Sequence, residues 1–593
     1  MRLVHLVVGL GALSVCVASD SVTEAASMTL KIHLQAADPS ALPRHLDNIS
    51  SIASKSYGHY LSRDDISSIV APSEKAVAAV LANITAFKPN VTGPRIVVDL
   101  PLATVESLFQ AQIQAVNLDG KTVLRPLNGV FTVPMTWQPH VMHIEGLDHI
   151  SPRLQALQSS SKRLRRRLDD SLLSDTMNLA TIQRLYNLSN DLDSSYPSNG
   201  VVVGAFVDQN YWNDDIATNL ACKNNPLTRP SRSSVDNTMP KLTLFPKAFG
   251  CDGERSTATS ENSLDIQLLV GLTRSNATSV YCYNSLRDPT RDPSDDNQER
   301  FLDFLRDVNS MEPAAGVVSI SYADDEIAVP ASYRAVLDRE FMIAGLRGTT
   351  IVTASGDNGV VGARRLDIYG PPRCQRFQVL YPASSPYVVS VGATVVSNDI
   401  ASSKIKEVAI MSRQGAGVTT TGGFSEYAVR PSFQDEHVTA YLKLKGNTSS
   451  ELFNVHGRAI PDVSFVGHNI PVHVNGRLTM VDGTSASSPI FAAIVSHMNR
   501  VRLSLGRPKL GFILPYLYEL HRVCPHIFRD VTEGNNACGA PDQTCCQPGF
   551  DATEGWDPVG GLGSLDFGRW KTNMDDCEAK MRGRSVHRRH YTN

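Results

Sequence analysis

Three short stretches carry residue types that could make and break bonds. The first is Ser260-Glu261-Asn262-Ser263-Leu264-Asp265-Ile266-Gln267-Leu268-Leu269. Glu261 and Asp265 are spaced to share one face of a helix, with Cβ atoms about 5–6 Å apart. The residues after Asp265 are almost entirely apolar, which predicts a buried helix, and two like charges carried into a core cost stability. A purely structural helix has little reason for that arrangement. The plainer alternative is a solvated acidic edge in the first turn, where Glu is favoured anyway. The second stretch is Ala354-Ser355-Gly356-Asp357, at the end of an apolar run. Its carboxyl is either a turn cap or, if burial raises its pKa, a protonated acid able to donate to an oxyanion. The third is Gly483-Thr484-Ser485-Ala486-Ser487-Ser488-Pro489. Here a serine sits in a tight turn ahead of a helix expected to start at Pro489 and to run through Ile490, Phe491, Ala492, Ala493, Ile494, Val495 and Met498. The positive end of that helix favours an anionic nucleophile or an oxyanion, although Thr and Ser are also ordinary N-caps.

The elements that must hold these residues follow a pattern. From Asn178 onward, short apolar runs at Val201 to Val207, Gly316 to Ser321, Thr349 to Ala354 and Tyr387 to Val391 alternate with helical patterns. Those helical patterns lie at Leu264 to Leu272, Glu299 to Val308 and Tyr333 to Leu346. Continuous apolar strands alternating with helices predict an α/β fold with a largely parallel sheet covered on both faces. Sites in such folds lie beyond the carboxyl ends of the strands, which is where Ser355-Gly356-Asp357 falls. Ahead of this region, residues from about 27 to 150 read as a small α/β unit. Strand-like alternation occurs at Thr29 to Leu34 and Arg95 to Leu100, and Pro101-Leu102-Ala103-Thr104-Val105-Glu106 opens a helical pattern. Between those strands, Tyr57-Gly58-His59-Tyr60-Leu61-Ser62 leads into a helix at Arg63 to Ile69. The basic run Lys162-Arg163-Leu164-Arg165-Arg166-Arg167 separates the two units and reads either as a solvated linker or as a processing site.

The 593 residues allow more than one folded unit, and 42% apolar content with a net charge of −3 gives no global excess pointing to nucleic acid or a membrane surface. Residues 1–19 read as a secretory signal: Arg2 and His5, an apolar run from Leu6 to Val17, then Ala18 and Ser19. That run is too short to span a membrane, and no membrane anchor is expected. Asn-x-Ser/Thr acceptors at Asn48, Asn83, Asn90, Asn187, Asn276 and Asn447 agree with a glycosylated secretory product. Cys16 would leave with the signal, and nine of the 10 cysteines would remain, an odd number. Cys538, Cys545, Cys546 and Cys577 crowd the C-terminal part, where disulfides are plausible and no spacing suits zinc.

In this order the three stretches resemble the sedolisin, or serine-carboxyl peptidase, family over nearly the whole chain. Glu261-x-x-x-Asp265 resembles its acidic pair, Ser355-Gly356-Asp357 its oxyanion aspartate motif, and Gly483 to Pro489 its nucleophile motif. Thr421-Gly422-Gly423-Phe424-Ser425 and Arg430-Pro431-Ser432-Phe433-Gln434 also look like family sequence, and the unit with Tyr57-Gly58-His59-Tyr60-Leu61 is similar to the family's propeptide. The resemblance implies a subtilisin-like sheet (169–593) behind a ferredoxin-like propeptide domain with its basic linker (20–168). It implies that Ser485 attacks the peptide carbonyl, Glu261 is general base, Asp265 tunes Glu261, and protonated Asp357 joins the Ser485 N–H at the oxyanion. It also implies one structural calcium ion, with carboxylates of Asp530 and Asp557 and carbonyls of Val531, Thr553 and Gly555 forming the oxygen-only shell that calcium prefers. Substrates would be peptides or proteins, and the propeptide would act as intramolecular inhibitor and chaperone.

Three positions depart from the family pattern. Asp482 stands where Ser is usual before Gly-Thr-Ser, Thr553 where Gly is usual in the calcium loop, and Tyr322-Ala323 where Trp-Gly or Tyr-Gly is common after Ser321. The expected activity is that of a secreted or lysosome- or vacuole-like acid peptidase made as a zymogen, leaning to release of tripeptides over internal cleavage. A subtilisin-type Ser-His-Asp peptidase would suit Asp208 at a strand end, but no His-Gly-Thr-His-like helix follows, and the nearest His-Gly is His456-Gly457 in a polar loop. An inactive secreted binding protein on the same fold is the reading from a different class.

Overall fold

The structure, a computed structural model, describes residues 27–118, 121–147, 155–156, 160–162, 176–188, 200–206, 209–221, 243–244, 258–274, 278–283, 301–362, 374–397, 405–445, 451–539 and 544–589. The signal-peptide reading, most of the basic run, Asp208, Asn276 and Asn447 lie outside those residues.

The larger unit is built on an eight-stranded sheet. Its order is Thr243–Leu244, Thr278–Tyr283, Val201–Phe206, Val317–Ile320, Thr350–Ala354, Val389–Val396 and Glu407–Ala409, with Val463–Val466 also paired to Val389–Val396. Every pairing is parallel except that of Glu407–Ala409. The apolar runs read from the sequence are these strands to within a residue, except that the run expected at Tyr387 to Val391 is the strand Val389–Val396, which continues five residues further. Side chains alternate across the pleat: Val201, Val203 and Ala205 enter one core layer, Val202 and Phe206 the other. The first layer holds the helices Ser260–Thr273 and Thr484–Ser504, and the second holds Phe301–Ser310 and Ala331–Leu346. This is the mostly parallel, two-sided α/β architecture that the alternation predicts.

The N-terminal unit is a four-stranded antiparallel sheet in the order Asn90–Thr92, Arg95–Pro101, Ser27–Leu34 and Val141–Glu145. Helices Glu74–Ile84 and Leu102–Phe109 cover one face through Val80, Ile84, Val105 and Phe109, which gives a ferredoxin-like layout. The other face meets the larger unit. Arg306 lies 3.4 Å from Glu145, Arg339 donates to the Leu34 carbonyl at 3.1 Å, and His143 Nδ1 lies 3.2 Å from Ser332 Oγ.

Tyr57-Gly58-His59-Tyr60-Leu61 is a second point of attachment. The Tyr60 hydroxyl donates to the Lys509 carbonyl at 2.7 Å, and the Leu61 N–H donates to the Leu346 carbonyl at 2.9 Å. The slot for the Tyr60 ring exists because of two glycines with positive φ. A Cβ at Gly348 or Gly511 would come within 2.7 or 2.6 Å of the ring or its hydroxyl.

With both cysteines among the described residues, three disulfides join Cys374 to Cys546, Cys524 to Cys577 and Cys538 to Cys545. Only the last falls wholly within the crowded C-terminal set. Cys546 and Cys577 reach partners that the tertiary fold brings in. Among the described residues no single helix is long and apolar enough to cross a membrane.

Candidate active site

The helix bearing Glu261 and Asp265 runs Ser260–Thr273, and every residue from Glu261 on is buried. Glu261 is 5% exposed and Asp265 1%, so the solvated-edge alternative fails. Asp265 Oδ1 accepts a 2.8 Å hydrogen bond from the Ser321 hydroxyl at the end of the strand Val317–Ile320. Burial pushes the Asp265 carboxyl well above the ordinary range, and the Ser321 bond pulls the other way. No lysine or arginine among the described residues pairs with Asp265.

The serine motif differs from its expected form. The helix does not start at Pro489. It starts at Thr484 and runs to Ser504, with Gly483 as N-cap and Pro489 inside. Ser485 is therefore the second helical residue, where backbone N–H groups have no helical acceptor. Pro489 lies four residues on and has no N–H, so the Ser485 carbonyl receives no helical bond from that position. Ser321 Oγ approaches this carbonyl at 3.4 Å. Ser485 is fully buried, and its Oγ has no hydrogen-bond partner among the described residues.

Asp357 follows the strand Thr350–Ala354 and is 3% exposed. Its Oδ1 accepts both the N–H of Thr484 at 2.8 Å and the Thr484 hydroxyl at 2.9 Å. The Thr484 hydroxyl in turn accepts from the Gly356 N–H at 3.1 Å. Asp357 Oδ2 is left without a partner among the described residues. A Cβ at position 483 would sit 3.3 Å from that oxygen, so glycine keeps it open. Burial pushes Asp357 up to about 6, Thr484 opposes this through its N–H and hydroxyl, and the charge of Asp482 adds to the rise. The turn-cap reading thus holds for one oxygen only, and the cap is made across the fold to Thr484.

Asp482 itself is directed away from the nucleophile. Its carboxylate accepts from the N–H groups of Asn469 and Gly417 and lies 2.8 Å from His468 Nδ1. Sequence reasoning missed Ser321, Thr484 and His468 as members of this neighbourhood. A proline four residues after the serine was the one legible signal that Ser485 has an open carbonyl.

The calcium residues also come together. Asp530 Oδ2 accepts from Gly555 N–H at 2.7 Å, and Asp557 Oδ2 accepts from Thr553 N–H at 2.7 Å. Asp557 Oδ1 accepts from Val559 at 2.9 Å and Gly560 at 2.8 Å. Burial pushes Asp557 up to about 7 and raises Asp530; the charge of Asp530 adds to the rise of Asp557, and that of Glu554 to the rise of Asp530. Neither pairs with a cationic side chain, and no described N–H reaches the carbonyls of Val531, Thr553 or Gly555. Two uncompensated carboxylates beside open carbonyls suit a hard dication. The left-handed position in this loop is Gly555, φ 83°, not Thr553, so the departure at 553 imposes no backbone strain.

A buried serine at a helix N-terminus, two carboxyls on the adjacent helix and a third carboxyl at a parallel strand's end define a serine-type peptidase on a subtilisin-like sheet. Residues 16–150 match the family model described as the Pro-kumamolisin activation domain, and residues 297–505 match the Subtilase family. Physarolisin of Physarum polycephalum is 28% identical over 96% of this chain and 98% of its own length. Tripeptidyl-peptidase SED2 of Arthroderma otae is 27% identical over 92% of this chain and 91% of its own. A Pseudomonas sedolisin, a serine-carboxyl proteinase, aligns with a TM-score of 0.48 at 22% identity, covering 68% of this chain and 99% of its own. Over nearly its whole length the chain is similar to these sedolisins, and with its activation domain it is a zymogen of a serine peptidase.

Proposed function

We propose that this chain is the zymogen of a secreted, acid-active serine-carboxyl peptidase that acts through an acyl-enzyme on Ser485 and releases tripeptides from free N-termini. The carrying observation is the division of labour on Asp357: Oδ1 is held by Thr484, and Oδ2 is open beside Gly483 and the Ser485 turn. A buried carboxyl raised to about 6 keeps its proton in acid and can donate from Oδ2 to a developing oxyanion, together with the Ser485 N–H. Fixed donors of this kind lower a barrier by about 3–4 kcal/mol each.

In the proposed reaction Glu261 takes the proton from Ser485 Oγ as the oxygen attacks the peptide carbonyl, then returns it to the leaving amine. Asp265 orients and tunes Glu261, and the pair titrates as a unit. Water then repeats the sequence in reverse order on the acyl-serine. The relatives named tripeptidyl-peptidases favour exopeptidase action over internal cleavage. A calcium ion held by Asp530 and Asp557 with the carbonyls of Val531, Thr553 and Gly555 would supply charge compensation that ties the two loops together. The described residues give Ser485 no histidine partner, which favours the carboxylate mechanism over the Ser-His-Asp one.

Latency has a structural basis in the segment after the N-terminal unit. Gln155–Ala156 pairs with Tyr322–Asp325, the strand that follows Ser321, and Ser160–Lys162 pairs with Arg477–Asp482, the strand that leads to Ser485. Both edges of the candidate site are thus paired with the chain's own linker. Removal of residues up to the basic run, with a mature enzyme starting near residue 169, would free them.

The test is hydrolysis of a tripeptide-linked fluorogenic amide by the processed protein from pH 3 to 8, beside the same peptide with a blocked N-terminus. Activity in acid that disappears on blocking is the expected result. Activity that survives blocking means an endopeptidase. An optimum at pH 8 overturns the carboxylate-base mechanism, and no activity at any pH favours the binding-protein reading.

A further inference from the structure

The departure at position 482 places a fourth carboxylate next to the site, and the structure holds it in a defined place. Asp482 is 4% exposed. Oδ1 accepts from the Asn469 N–H at 2.9 Å and lies 2.8 Å from His468 Nδ1; Oδ2 accepts from the Gly417 N–H at 3.0 Å. The loop that supplies Gly417 also holds Asp357: Thr419 N–H donates to the Asp357 carbonyl and Thr421 N–H to the Gly356 carbonyl, both at 2.9 Å. On the other side, Thr484 N–H donates to Asp357 Oδ1. Asp482 and Asp357 are therefore pinned to one short frame on either side of Gly483.

Two carboxylates on one frame do not ionise independently, because each charge disfavours the other. The partners decide which one carries the proton. Burial works against the Asp482 anion, but the His468 imidazole and the N–H groups of Asn469 and Gly417 outweigh it and hold Asp482 below the ordinary carboxylate range. Asp357 has only Thr484 to set against its burial and lies in the field of Asp482. The other charged groups nearby are few. His468 Nδ1 lies against Asp482 Oδ1, Ser160 stands opposite Asp482 in the linker strand with Lys162 opposite Met480, and Glu261 and Asp265 are the other carboxyls of the site.

We propose that Asp482 and His468 form a tuning pair for the oxyanion acid: the Asp482 charge keeps the proton on Asp357, and the His468 ring nitrogen set against Asp482 Oδ1 limits how strongly Asp357 feels that charge and so how far toward neutral pH the enzyme works. The pair acts through Asp357 and does not touch substrate. This inference rests on the reading of Asp357 as the protonated oxyanion donor.

The experiment is the pH dependence of kcat and kcat/KM for the processed enzyme, in which Lys162 and Ser160 are absent. Asp482→Asn moves the alkaline limb to lower pH by about one unit, the scale of a close charge effect. His468→Gln, at a partly exposed position, moves it to higher pH because Asp482 is then unopposed. The acid limb, set by Glu261 and Asp265, stays in place in both. A fall in kcat with both limbs unmoved, or a shift of the same sign in both variants, overturns the proposal and leaves Asp482 as a staple for the 417 and 469 loops. If Asp482→Asn does not fold, Asp482→Ser and His468→Gln carry the test. Asp357→Asn checks the underlying reading separately: an alkaline limb that persists in that variant means Asp357 does not set it, whatever Asp482 does.

Discussion

Pro489 lies four residues after Ser485 in one continuous helix, so the carbonyl of the candidate nucleophile receives no helical N–H from that position. Ser321 stands at that gap, 3.4 Å from the carbonyl, while its hydroxyl donates to Asp265 Oδ1 at 2.8 Å. One hydroxyl therefore links the acidic pair to the backbone of the serine turn.

Removing it has a definite consequence. Ser321→Ala deletes the one hydrogen bond that favours the Asp265 anion, so the pair holds its proton to higher pH. The acid limb of the rate profile moves up, and kcat at the optimum falls by about tenfold, the worth of a neutral hydrogen bond of about 1 kcal/mol or slightly more. Ser321→Thr, which keeps the hydroxyl, restores the limb. Steady-state kinetics across pH 3 to 7 read both effects, and an unchanged acid limb in Ser321→Ala removes Ser321 from the mechanism.

The acidic pair is a cost to the fold that function explains. Glu261→Gln and Asp265→Asn each lower kcat by at least about 10²-fold, the low end for loss of general-base catalysis. Both leave Tm unchanged or raised, because a buried like-charged pair is relieved. Calorimetry beside kinetics separates this outcome from simple misfolding. Near-normal turnover in either variant excludes that residue.

A calcium ion held by Asp530 and Asp557 would stabilise the enzyme more at neutral than at acid pH. Burial raises Asp557 from its ordinary value to about 7. In the ion-free protein the stability tied to that proton is fully present below the unfolded value, near pH 4, and is lost as pH rises through about 7. A bound dication compensates the ionised carboxylate, and protons compete with it in acid. The Tm difference between calcium-loaded and calcium-free enzyme is thus larger at pH 7 than at pH 4, and Asp557→Asn abolishes it. Equal differences at both pH values sink the assignment of Asp557 as a ligand.

Tyr60 anchors the N-terminal unit away from the site. Tyr60→Ala empties the slot between Gly348 and Gly511 and costs the zymogen about 3 kcal/mol, the scale for truncating a buried aromatic ring. The processed enzyme, which lacks residue 60, keeps its Tm once formed. Thermal unfolding of both forms checks this, with Tyr60→Phe as the milder variant that loses only the bond to the Lys509 carbonyl. Equal stability of wild-type and Tyr60→Ala zymogens shows that the slot anchors nothing.

The sequence by itself determined the strands near Val201, Val317, Thr350 and Val389, the buried helix with Glu261 and Asp265, and a small α/β unit ahead of them. These are local properties: apolar periodicity and side-chain spacing decide them within a dozen residues. Family motifs added the residues to watch and the expected calcium set. Tertiary structure alone decided how they meet. The helix begins at Thr484, not at Pro489, where Asp357 Oδ1 takes the Thr484 N–H that a first-turn residue leaves without a helical acceptor. Asp357 and Thr484 are 127 residues apart, and no local pattern encodes their two hydrogen bonds. Asp482 reads in the sequence as a carboxylate beside the nucleophile, whereas the fold turns it to His468, Asn469 and Gly417. Cys546 and Cys577 likewise take Cys374 and Cys524 as partners, since pairing follows which backbones the packed core brings within reach, not which cysteines crowd together along the chain.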